Sequence, residues 1–155
     1  MSLTAEDISI VQRQWEVPKK DLAGSGAIVL GAYLAKYPEH QKVFDKFRSI
    51  PLEELKTTDK FKNHATKIMQ ALDKSIGALG QGNMAAVEEE VWGGLGDIHF
   101  RKKIPRPYFN DLKGVIFEIL GPLCNMNDRD VEAWNKVFEI VYGIMFKKMD
   151  ELEGK

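Results

Sequence analysis

Helical spacing dominates this chain. Phe61, His64, Ala65, Ile68, Leu72 and Ile76 recur three, one, three, four and four positions apart, which is one stripe along a helix. That helix is predicted to run from about Asp59 to Gly80. Val87, Val91, Leu95 and His99 stand four apart and share a face of a second helix, from about Ala85 to Phe100. Gly93, Gly94 and Gly96 weaken it, each costing up to about 1 kcal/mol relative to alanine. Near the start, Thr4 reads as an N-cap, with Asp7 three residues on. Ile8, Val11 and Trp15 line that first helix, which is expected to stop at Val17, before Pro18. Further helices are predicted from Asp21 to Lys36, briefly from Pro38, from Pro105–Pro107 to Leu120, and from Asp128 to Leu152. The last carries a stripe of Trp134, Phe138, Val141 and Met145. Val43–Pro51 reads as an irregular connection holding Phe44 and Phe47. Sustained strand-like alternation is missing. The expectation is an all-α fold of seven or eight helices, in a single domain over residues 1–155.

Charge narrows the classes. Acidic and basic residues nearly cancel, 23 against 22. No basic excess argues for nucleic acid or an anionic membrane. No apolar run reaches the roughly 18 residues of a membrane span. The first twenty residues lack a secretory apolar block. A single cysteine, Cys124, cannot form an internal disulfide, which fits a reducing compartment. The expected location is the cytoplasm, with secretion after processing left open.

Candidate chemistry rests on two of the three histidines. His40 falls on a short polar helix and is expected to be exposed, as are Glu88, Glu89 and Glu90. His64 and His99 instead lie mid-stripe, on the two helices that flank one connection. A lone histidine on an apolar stripe is usually a packed, locally satisfied side chain. Two of them facing a common apolar space point to the two sides of a flat cofactor. Zinc is a poor reading, because there is no i, i+4 histidine pair, second cysteine or carboxylate cluster. Haem brings four of its own iron ligands and needs one or two imidazoles from protein.

The residues then resemble a family. LGDIHFRKKIP (95–105) is similar to the proximal-histidine region of globins, KFKNHATKIM (60–69) to their distal helix, and YPEHQKVFDKF (37–47) to their corner. Trp15 falls where globins place a first-helix tryptophan. QWEVPKKDLAGSGA, IPLEELK and PYFNDLKGV resemble insect globins most. The 35-residue step between the histidines is somewhat long for vertebrate-type globins, which puts the connection near Gly80–Met84 in question.

The resemblance implies a globin fold around haem b. His99 becomes the proximal iron ligand, its other nitrogen bonded to the Leu95 carbonyl. His64 either donates a hydrogen bond to dioxygen or is itself the sixth iron ligand. Leu30 and Ile68 complete the distal pocket, and Phe44 and Phe47 hold the corner against haem. Ile104, Tyr108, Phe109, Leu112 and Val141 line the haem edge, while Lys46, Lys67 and Lys103 are candidates for its propionates. Gly26 and Ala65 fit a close helix crossing. The implied ligands are dioxygen, carbon monoxide and nitric oxide. The implied role is oxygen storage, transport or facilitated diffusion, without dedicated enzyme activity. The alternative is a six-coordinate globin with redox, nitric oxide dioxygenase or peroxidase-like protective activity. The basic cluster Arg101, Lys102, Lys103 and Arg106 reads first as a solvated helix-to-helix corner; a reductase docked there, and a homodimer, are further possibilities.

Overall fold

A computed structural model describes residues 3–154. Among them there are eight α-helices and no strand. The helices are α1 (Ala5–Lys19), α2 (Leu22–Lys36), α3 (Leu52–Leu55), α4 (Asp59–Ala78), α5 (Met84–Glu88), α6 (Gly94–Arg101), α7 (Arg106–Leu123) and α8 (Asp128–Leu152). A 3-10 turn, Pro38–Val43, follows α2, and a π-helical segment, Glu89–Gly93, joins α5 to α6.

The first and last helices are capped by side chains that also tie them together. In α1, the Asp7 amide donates to Thr4 Oγ1 (3.1 Å) and the Thr4 amide to Asp7 Oδ2 (2.9 Å), forming a capping box. Asn127 and Asp130 repeat the arrangement at the start of α8. Each acid then meets the other helix. Asp7 is buried against Arg129 (2.8 Å) and Lys136 (3.1 Å), and Asp130 accepts from Gln14 Nε2 (2.7 Å). Trp134 Nε1 donates to Gln14 Oε1 at 2.8 Å, so the buried amide is used at both ends.

The core has two lobes. The larger holds Val11, Trp15, Met69, Trp134, Phe138 and Met145. The smaller holds Leu30, Leu34, Phe47, Leu55, Phe61 and Ala65. Ile68 and Leu112 pack against both. The tightest crossings need glycine. A Cβ on Gly26 of α2 would stand 2.4 Å from the Ala65 carbonyl oxygen of α4. A Cβ on Gly96 of α6 would stand 2.6 Å from the Met145 carbonyl oxygen of α8.

Several expectations need correction. α1 continues through Pro18 to Lys19. Proline in the last turn has no N–H for the Gln14 carbonyl, and Cys124 Sγ donates to that oxygen instead (3.4 Å). Likewise α7 runs through Pro122 to Leu123. The helix predicted over 85–100 is broken by the π segment, whose wider turn takes up part of the long step between the histidines. The buried face there is Glu88, Trp92 and Gly96, one residue on from the Val87, Val91, Leu95 and His99 stripe, which is half-buried. Glu88 is therefore not solvated. It is 1% exposed, with neither carboxylate oxygen hydrogen-bonded, beside Ser75 and Trp92, which bond to each other at 3.0 Å. Glu89 and Glu90 are exposed, as expected.

His40 is also buried, at 4% exposure. Its ring stacks between Tyr37 (4.8 Å) and Tyr108 (3.6 Å), and Nε2 reaches Asp111 Oδ2 at 2.9 Å.

Packing and burial give three predictions. Gly26→Ala, measured by urea unfolding, should lose about 1–3 kcal/mol by overpacking. Gly114→Ala, exposed in α7 with open space at its Cβ, should gain up to about 1 kcal/mol. The third concerns Glu88, whose carboxyl burial pushes above its ordinary 4.5. A raised folded value means stability that is present below 4.5 and lost as pH rises through the folded value. Glu88→Gln should remove that loss and raise the urea midpoint at neutral pH; an unchanged pH profile would count against it.

Candidate functional site

His99 is fixed at both of its ends. Nδ1 lies 2.7 Å from the Leu95 carbonyl, which can only accept, so Nδ1 carries the proton and Nε2 is the nitrogen left over. One turn of the same helix supplies that carbonyl, as the four-residue spacing requires. The His99 carbonyl accepts from the Ile104 amide (3.1 Å), and the Phe100 carbonyl from the Lys103 amide (3.0 Å). Those two bonds form a Schellman cap, with Lys103 in the left-handed region at φ 58°. The helix thus ends directly behind its histidine. Phe109, from the first turn of α7, sets its ring against the imidazole at 5.0 Å and 84°. Burial pulls the His99 pKa down, opposed in part by the Leu95 carbonyl.

His64 is presented by α4, whose small neighbour Ala65 meets Gly26. Phe44 and Phe47 stack on one another at 5.2 Å and stand perpendicular to the His64 ring, at 5.1 and 5.7 Å. Burial first, then the charge of His99, Lys102, Lys67 and Lys46, pulls the His64 pKa down to about 4. Both imidazoles are therefore neutral at neutral pH, with lone pairs available.

Around them, Phe44, Ile68, Leu95, Ile104, Phe109 and Leu112 are all half-buried. Leu30, Phe47 and Val141 are fully buried within the core lobes. Tyr108 turns its ring to His40. Lys46, Lys67 and Lys103 are exposed and make no ion pair with a described residue. The sequence reading missed Lys102, whose charge reaches both histidines. Arg101 and Arg106, from the same basic cluster, are ion-paired. Arg101 pairs with Asp97 (2.9 Å), and Arg106 with Asp150 (2.8 Å) and Glu153 (3.0 Å).

This donor set suits one kind of cofactor. Among the described residues no group of three or more His, Cys, Asp or Glu gathers into a metal cage. The described residues offer two neutral imidazoles, half-buried apolar side chains and exposed lysines. An apolar, planar group with its own in-plane metal ligands and anionic substituents matches each feature.

Helical architecture and paired histidines define a class, and the comparisons agree with it. The globin family model matches residues 27–145, and the chain belongs to the globin family. It is 28% identical over 147 residues to globin CTT-VIIB-6 of Chironomus thummi thummi, covering 95% of this chain and 89% of that protein. A hexa-coordinate haemoglobin of Drosophila melanogaster superposes with a TM-score of 0.88 at 30% identity, covering 93% of this chain and 94% of that one. Haemoglobin from the botfly Gasterophilus intestinalis gives 0.87 at 31% identity, covering 95% and 99%. Among the described residues no helix is long and apolar enough to cross a membrane.

The depressed His64 pKa has a signed consequence for the polypeptide prepared without haem. Unfolded imidazole binds a proton near pH 6.5, and folded His64 only near about 4. Between these values the unfolded state holds more protons, so stability falls as pH drops from 6.5 toward 4. His64→Leu should flatten that slope in urea titrations across the window; an unchanged slope would contradict the assignment.

Proposed function

We propose that this protein binds haem b and uses it to bind dioxygen reversibly, for storage, transport or facilitated diffusion. The observation that carries the reading is the His99 Nδ1 bond to the Leu95 carbonyl, which commits one ring nitrogen and leaves Nε2 for iron. When bound, haem would supply an iron centre able to bind dioxygen, carbon monoxide or nitric oxide, with His99 and His64 as the residues to hold or face it.

The chain's own residues do the rest. His99 supplies the proximal ligand, its basicity raised by the carbonyl behind it. His64 stands on the opposite side as a neutral imidazole, able to donate from one nitrogen and accept at the other. Leu30 and Ile68 add no polar group beside it, so His64 is the one distal donor of this set. Phe44, Ile104, Phe109 and Leu112 exclude water from the ring's edges. Lys46, Lys67 and Lys103, with Lys102, offer cations to the propionates; exposed pairs of this kind contribute about 0–1 kcal/mol each.

A second reading keeps His64 on the iron at rest, with redox, nitric oxide dioxygenase or peroxidase-like protective activity. Two observations favour it: the low proton affinity of His64, and the 30% identity to a hexa-coordinate haemoglobin. The visible spectrum of the ferrous, ligand-free protein decides. One broad mid-visible band means five-coordinate iron and supports oxygen carriage. Two sharp bands mean that His64 is bound, and His64→Leu should then convert them to the broad one. His99→Leu should lose most haem retention on gel filtration. A protein expressed with iron available and showing no Soret absorption would refute the haem reading.

A further inference from the structure

The proximal histidine's orientation depends on a residue outside its own helix. Tyr142 lies on α8 and is 6% exposed. Its hydroxyl donates to the Phe109 carbonyl at 2.8 Å. Its ring meets Phe109 at 6.3 Å and 79°, and Trp92 at 5.9 Å and 61°. Trp92 belongs to the π segment that leads directly into α6. Phe109 is the ring set edge-to-face against His99. A single side chain therefore touches both supports of the proximal imidazole, one before it in the chain and one beside it.

The hydroxyl is the informative part. A phenylalanine at this position would fill nearly the same volume and keep the aromatic contacts. The oxygen adds a fixed bond to the α7 backbone at the residue that faces His99. Tyr33 offers a built-in comparison, since its hydroxyl reaches the neighbouring Tyr108 carbonyl at a looser 3.4 Å. Tyr108, however, faces His40 rather than His99. Two hydroxyls thus hold adjacent carbonyls of one helical turn, and only one of those residues touches the imidazole.

We infer that Tyr142 is a positioning residue for the proximal ligand: its hydroxyl fixes Phe109, and Phe109 fixes the rotation of the His99 ring about its bond to the metal. The Leu95 bond holds the ring's tilt and tautomer, while the Phe109 edge stops it swinging about that axis. The inference rests on the haem reading above.

The test is resonance Raman spectroscopy of the haem-loaded full chain, ferrous, in a His64→Leu background that keeps iron five-coordinate. Tyr142→Phe should leave the Soret band in place but broaden the iron–histidine stretching band and move it to lower wavenumber. Phe109→Leu should do the same. The double variant should shift no further than Phe109→Leu alone, because the two act in series. Tyr33→Phe should leave the band where it is. An unmoved band in Tyr142→Phe with a normal Soret overturns the inference, and so does an equal shift in Tyr33→Phe, which would mean general loosening. If Tyr142→Phe does not fold, Phe109→Leu decides alone, and an unmoved band overturns the inference. A parent protein without Soret absorption overturns the haem reading and this inference with it.

Discussion

Two backbone crossings govern the geometry of the site. α4 packs on α2 and α6 packs on α8, in preference to packing on each other. At the first crossing Gly26 admits the Ala65 carbonyl, next to His64. At the second, Gly96 admits the Met145 carbonyl, three residues before His99. Neither crossing tolerates a side chain, so helix separation is set by main-chain contact rather than by flexible packing. The two imidazoles inherit their places from different partner helices, α2 for His64 and α8 for His99.

Electrostatics follow from the same placement. Each imidazole is carried into apolar surroundings and into reach of cationic lysines, and both influences favour the neutral ring. A neutral ring is the form that ligates metal or accepts and donates at once. The rim lysines therefore act at two distances. They present positive charge to solvent, and they withhold a proton from His64. The phenylalanine pair at the corner supplies the rest of its environment without contributing a hydrogen bond.

Much of this was legible along the chain. The stripes of α4 and α8 predicted their buried faces, and Thr4 with Asp7 predicted a cap that forms as drawn. The small pair Gly26 and Ala65 was read as a crossing, and it is one. What stayed hidden depends on distant partners. His40 looked solvent-facing because its local sequence is polar, yet Tyr108 and Asp111, about seventy residues on, enclose it. Pro18 looked like a stop because the thiol that satisfies its orphaned carbonyl comes from Cys124. Glu88 was misassigned because its run of three acids looks solvated, yet it shares a buried face with Trp92 and Gly96, one residue on from the apolar stripe. Gly96 read as a weakness of its helix; its lack of a side chain is what lets α6 reach α8.

The dependence of α6 on α8 also bears on how the fold assembles. The Met145 carbonyl and the Tyr142 hydroxyl both belong to α8, so the surroundings of His99 are complete only once α8 has docked. The surroundings of His64 draw on α2 and α4 instead. A chain from which α8 is detached would therefore keep one formed wall and lose the other.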